Sequence, residues 1–165
     1  MKNSGKHISI ALVLGWAGTV PFIGLAFALL VSHSILSDTT TILLFVSYSA
    51  LIVSFLAGSL WAEALVGRGT VDAGRLLLFS NVIMLVSWCA LLSIVFIAWH
   101  WGLLVLAGCY VALLVSERNL RNLAYPLETG DAAYRAYRQM RQRVSIVVVS
   151  CHIIVLLIRV NGISL

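Results

Sequence analysis

Charge is what this chain lacks most. Only 10% of its 165 residues are Asp, Glu, Lys or Arg, against about a quarter in an ordinary soluble domain. Proline is nearly absent, with only Pro21 and Pro126, so long helices meet few interruptions. Cysteine is scarce as well. Cys89, Cys109 and Cys151 are odd in number, show no CxxC spacing and sit inside apolar runs. That excludes a disulfide framework or a zinc site and leaves three thiols acting as small buried hydrophobes. The chain has no GxxxxGK[ST], HExxH, GxSxG or GxGxxG pattern, no span with paired acids and no arginine-rich span. No enzyme activity is expected.

What the chain has instead is apolar surface. Hydrophobic residues make up 61%, and the mean hydropathy is +1.04. A domain of this length buries only about two-thirds of what its unfolded chain exposes, so a soluble fold has no place for this much apolar side chain. The composition means an integral membrane protein, one domain over residues 1–165. Five apolar runs define about five spans: 8–32, 41–66, 76–98, 101–121 and 141–159. A hydrocarbon core of about 30 Å needs about 20 helical residues. The last two runs reach that length by snorkelling arginines, Arg118 and Arg121 for the fourth, Arg141 and Arg143 for the fifth. Helices are required because unpaired backbone groups do not face lipid. The fold class is therefore all-α, a helical bundle of five transmembrane helices.

The basic residues orient it. With the amino terminus cytoplasmic and the carboxyl terminus outside, ten of the eleven Lys and Arg lie inside and only Arg159 lies outside. Lys2 and Lys6 ahead of an apolar stretch imitate a signal peptide with Ala26-Phe27-Ala28 as cleavage site, but the stretch runs past it and reads as a retained helix. With no Arg- and Ser-rich transit segment, the expected location is the bacterial cytoplasmic (inner) membrane. The net charge of +5 then points to anionic lipid headgroups as partners, and not to nucleic acid.

Residues 131–143 have helical spacing of apolar positions, with Pro126 marking a break before them. They are either an amphipathic helix on the inner leaflet or the cytoplasmic end of the fifth helix. Arg135, Arg138, Arg141 and Arg143 are expected to contact lipid headgroups in either case, with a phosphate- or partner-binding arm as the sharper reading. Small residues at four-residue spacing form stripes: Ala50, Ser54, Gly58 and Ala62 in the second span, Gly108, Ala112 and Ser116 in the fourth, and Ala11, Gly15 and Thr19 in the first. Such stripes let helix backbones approach and predict a tight interface among spans one, two and four. Pro21 and Gly24 should kink the first span and leave a carbonyl near Ala17 for another partner.

Ionisable and amide groups within spans are functional candidates by default. Glu63 and Asn81 are expected at similar depth near the cytoplasmic side, either as interhelical glue or as the floor of a polar pocket. Arg68, Arg75 and Arg118 are within reach of Glu63 as ion-pair partners. His152 lies mid-span in the fifth helix, facing the Ser47-Tyr48-Ser49 patch if the bundle so arranges it. His7, His33 and His100 do not match its depth, so no haem and no other cofactor is expected.

Three segments carry a resemblance. Leu14-Gly15-Trp16-Ala17-Gly18-Thr19-Val20-Pro21-Phe22 opens the first span, Ser47 through Trp61 fills the second, and Tyr134 to Val144 precedes the last. Over nearly its whole length the chain resembles the membrane proteins grouped as domain of unknown function 3429, which look like transmembrane protein 69 of animals. The resemblance implies a five-span bundle and brings no activity. Family members often have glycine where Ala62 stands, which makes the neighbouring Glu63 particular to this sequence. The expected role is that of a non-enzymatic accessory or assembly partner of a larger membrane complex, associating with another membrane protein or with itself. The alternative is a small oligomeric carrier or channel for a solute or lipid, with its site near Glu63 and Asn81.

Overall fold

A computed structural model of the protein describes residues 4–31, 37–66, 73–124 and 132–161. It contains α1 (Ser4–Ala17), α2 (Val20–Leu30), α3 (Asp38–Val66), α4 (Ala73–Phe96), α5 (Trp99–Ala124) and α6 (Ala132–Asn161). Among the described residues, five stretches are long and apolar enough to cross a membrane: Ser9–Leu30, Asp38–Ala62, Ala73–Phe96, Trp99–Arg118 and Gln139–Asn161. The protein is an all-helical, multi-pass membrane bundle. The expected break at Pro126 and the loop holding Arg68 lie outside the described residues.

The first span is two helices rather than one kinked rod. Pro21 has no N–H to offer the carbonyl four residues back, so the ladder fails there. The chain closes each half separately. The Trp16 carbonyl accepts from both the Thr19 N–H (3.0 Å) and the Thr19 hydroxyl (2.7 Å), ending α1. Thr19 then accepts from the Ile23 N–H at 3.1 Å, starting α2 with proline in its first turn.

At the head of α3, the Ser37 hydroxyl accepts from the Thr40 N–H, and Asp38 occupies the first turn, where the helix dipole favours a carboxylate. The α4–α5 connection is as short as the apolar runs suggest but lies two residues earlier. It consists of Ile97 and Ala98, so His100 belongs to the first turn of α5 and not to a loop. The fifth span settles the question for residues 132–143: α6 is unbroken from Ala132 to Asn161, so they are the end of the last helix.

α3 packs against α2, α4 and α5, while α6 packs against α1, α2 and α5. The core holds Phe22, Phe45, Val53, Leu60, Leu103, Leu106, Tyr110, Val148 and Val155, each at most 1% exposed. α4 turns Leu76, Ser80, Ile83, Ser87, Ala90 and Ser93 inward at steps of three and four. Its buried serines return their hydroxyls to carbonyls of their own helix, at Leu77, Met84 and Ala90. They fill little volume and leave no donor unsatisfied, which suits close helix approach in lipid. Cys109 and Cys151 are buried as expected. Cys89 is not: it lies on the outward face of α4.

The small-residue stripe of α3 divides. Ala50 is buried and Ser54 reaches Ser87 of α4, but Gly58 and Ala62 are exposed. Four residues advance a helix by about 400°, so each step drifts about 40° and the lower half of the stripe rotates out of the bundle. Gly108 of α5 is likewise exposed, with Ala112 half-buried. The expected joint interface of spans one, two and four therefore does not form as one seam.

The close approaches fall elsewhere. A Cβ on Gly102 would lie 2.9 Å from the Ala90 carbonyl oxygen and 3.3 Å from the Ser93 hydroxyl, so this glycine sets the α4–α5 crossing. A Cβ on Gly15 would strike the thioether end of Met140 on α6. We expect Gly102→Ala to destabilise the bundle by about 1–3 kcal/mol, because backbone must move. Gly15→Ala should cost well under half of that, since Met140 can swing away. Unfolding of both variants in one detergent system checks the order.

Candidate functional site

α6 turns one polar face toward α3. Arg141, His152 and Arg159 are separated by eleven and seven residues, close to whole numbers of helical turns, so they share that face at three depths. Each finds a partner on α3: Ser59, Ser49 and Asp38. Residue numbers rise on one helix as they fall on the other, so the pairing is antiparallel. Three polar rungs, about 10–16 Å apart along the axis, join the two helices.

The middle rung is the most buried. His152 is 1% exposed and Ser49 is fully buried. The His152 Nδ1 lies 2.8 Å from the Val148 carbonyl oxygen, and the Nε2 lies 2.9 Å from the Ser49 hydroxyl. A carbonyl only accepts, so Nδ1 carries the hydrogen. In the neutral ring Nε2 then accepts from Ser49. The Tyr110 hydroxyl donates to the Ser49 carbonyl at 3.2 Å, tying in α5. Phe45, Tyr110 and Phe22 surround the imidazole, with ring centroids 4.8, 5.6 and 5.9 Å away. One ring thus gathers α2, α3, α5 and α6. Every hydrogen-bonding atom of the imidazole is engaged, as burial in this apolar setting requires.

The rung at the basic end is an ion pair. Glu117 of α5, 7% exposed, pairs with Arg141 of α6. The same guanidinium donates to the Ser59 hydroxyl at 3.3 Å and lies over the Tyr137 ring at 5.9 Å. Arg141 therefore turns into the bundle instead of reaching for lipid headgroups. The rung at the far end pairs Asp38 at the start of α3 with Arg159 in the last turn of α6. Both residues sit at favourable ends of their helix dipoles. Between the rungs lie apolar layers: Phe45 and Val155 above His152, Val53 and Val148 below it, none more than 1% exposed.

Over most of this arrangement lies one sequence match. A family model described as protein of unknown function (DUF3429) matches residues 8–157. The chain belongs to that family. The DUF3429 match takes in the middle and basic-end rungs and stops two residues short of Arg159. No curated protein and no solved structure matches the chain.

The other residues singled out above are less centrally placed. Asn81 is exposed on α4, and its amide donates to the Leu77 carbonyl of its own helix at 2.8 Å. Glu63 belongs to α3, but its side chain lies outside those described, as do those of Arg121, Arg135 and Arg138. Arg143 is exposed on α6. Glu117 was not among the sequence candidates. The signal was there: it is the lone acid of the fourth apolar run, directly ahead of Arg118, where a carboxylate is out of character in a basic flank. Among the described residues no three His, Cys, Asp or Glu side chains gather in a way that would hold a metal ion.

Proposed function

We propose that this protein is a non-enzymatic accessory subunit, a rigid bundle that docks against a helix of a different membrane polypeptide. The observation that carries this reading is the outward-turned mid-helix glycine on each of α3 and α5. A Cβ on Gly58 or Gly108 would meet nothing within 4 Å. Glycine within a helix costs about 1 kcal/mol relative to alanine, and neither position recovers it by packing inside the chain. Each offers a shallow notch where a foreign helix backbone can approach. On α3 the notch is continuous with Leu51, Phe55 and Ala62, all exposed on the same face.

The interior supports the same reading. The middle and basic-end rungs are closed by partners within the chain, while at the far rung Arg159 pairs with Asp38 but keeps a buried Nε without a hydrogen-bond partner among the described residues; apolar layers separate the rungs, which suits a brace better than a path for ions. The carrier alternative placed its site at Glu63 and Asn81. It gains nothing from Asn81, which faces outward and bonds within α4. The charge segregation supports an amino terminus in the cytoplasm and a place in a bacterial inner membrane, with Arg143 at the level of anionic headgroups.

Native mass spectrometry of the protein extracted from its host in mild detergent tests the proposal, alongside Gly58→Leu and Gly108→Leu. The expected result is a second polypeptide bound to the natural chain and lost from at least one variant. Both variants should keep the fold to within about 0.5 kcal/mol, since each leucine enters open space. Recovery of this chain by itself, singly or in copies, overturns the reading. So does a partner that both variants retain in full.

A further inference from the structure

We infer that α1 is a hinged lid that swings away from α6 about the Gly18–Thr19 joint, while α2 stays fixed in the core. The inference is independent of the docking role proposed above.

Three observations converge on the joint. First, both helix ends are finished there: Thr19 closes α1 through the Trp16 carbonyl and opens α2 through its own. A change of angle at the joint leaves the ladders of α1 and α2 intact and strains only the two bonds from Thr19 to the Trp16 carbonyl. Second, the two halves are anchored unequally. α2 packs against α3 and α6 and buries Phe22, Ala26 and Leu29. α1 packs against α6, and Ile10, Val13, Leu14 and Trp16 are exposed. Third, one hydrogen bond latches the joint to the bundle: the Tyr48 hydroxyl of α3 donates to the Gly18 carbonyl at 3.0 Å.

The seat of the lid is the contact between Gly15 and Met140. A glycine against a flexible thioether is a contact that opens and recloses without rotamer strain on the helix side. Met140 directly precedes Arg141, the residue that holds Glu117 and Ser59. Outward movement of α1 therefore uncovers Met140, the sequence neighbour of the ion-paired Arg141. Hinges of this kind are confined to a few element-terminal residues that absorb the backbone change.

Distances between spin labels in lipid nanodiscs test the motion. Cys89, Cys109 and Cys151 are replaced by alanine, and labels are placed at the exposed positions Val13 and Leu85 (α1 to α4) or Ile23 and Leu85 (α2 to α4). The expected result is two populations for the α1 pair and one for the α2 pair. Tyr48→Phe should raise the displaced-to-docked ratio of the α1 pair about fivefold, the effect of losing one neutral hydrogen bond. Gly15→Leu should shift it the same way by wedging α1 off Met140. An α1 distribution as narrow as that of α2, unchanged by either variant, overturns the inference. So does parallel broadening of both pairs, which means the whole span moves and the joint is not a hinge.

Discussion

Glu117→Ala is expected to be among the most damaging single substitutions in the chain, with a loss of about 3–5 kcal/mol. The carboxylate is buried, and removing it strands the Arg141 guanidinium in a low-dielectric bundle, where an uncompensated charge is far costlier than the pair is valuable. The test is the double substitution Glu117→Leu with Arg141→Met. Both residues keep roughly their volume and neither brings a charge, so most of the lost stability should return. Equilibrium unfolding of the natural chain, both single variants and the double variant forms a complete cycle. If Glu117→Ala alone unfolds at the natural midpoint, the pair does not hold α5 to α6.

His152→Ala has the second large effect, about 2–5 kcal/mol. The substitution empties a site walled by Phe22, Phe45 and Tyr110 and leaves the Ser49 hydroxyl without its acceptor. Ser49→Ala should cost less, about 1–2 kcal/mol, because it removes little volume and strands only one ring nitrogen. The pair is also non-additive: once His152 is gone, Ser49→Ala should add a few tenths of a kcal/mol at most, since the bond it would remove no longer exists. Near-infrared or infrared methods are unnecessary; thermal unfolding in one detergent resolves these differences.

The architecture was legible because hydropathy is a coarse signal and this chain presents it strongly. The second to fifth expected spans each coincide with one helix and the first with the pair α1 and α2, with ends a few residues away, at Trp99 for instance, where a helix begins before the polar His100. The break in the first span was legible from Pro21, but its site was not. Which carbonyl becomes the odd one depends on how the chain closes each half, and the carbonyl bonded by Tyr48 belongs to Gly18, one residue beyond Ala17.

The polar site was legible only at its middle rung, and there only in part. A histidine mid-span needs a partner, and the Ser47-Tyr48-Ser49 patch offers one, but which of the three meets His152 depends on how the bundle arranges its helices. Glu117 did not follow, because an acid at the edge of an apolar run looks like the start of a loop until α5 is seen to continue to Ala124. Arg141 was read as a headgroup ligand for a related reason. Arginine near a helix end has two homes, lipid surface and buried carboxylate, and spacing along one helix does not distinguish them. The small-residue stripe misled through geometry: a four-residue repeat stays on one helix face for only two steps or so before it rotates away.

The three rungs also impose an order on assembly. Each joins α3 to α6 across a long reach of chain: 82 residues from Ser59 to Arg141, 103 from Ser49 to His152 and 121 from Asp38 to Arg159. During synthesis α3 enters the membrane when none of its polar partners on α6 has yet been made. Spans are inserted first and associate afterwards, so Asp38, Ser49 and Ser59 wait through the insertion of α4 and α5. Closure of the bundle is therefore the last event of its birth, and it depends on the helix that is made last. A ribosome that stops before residue 141 leaves a chain with four of its five spans in place and none of the rungs.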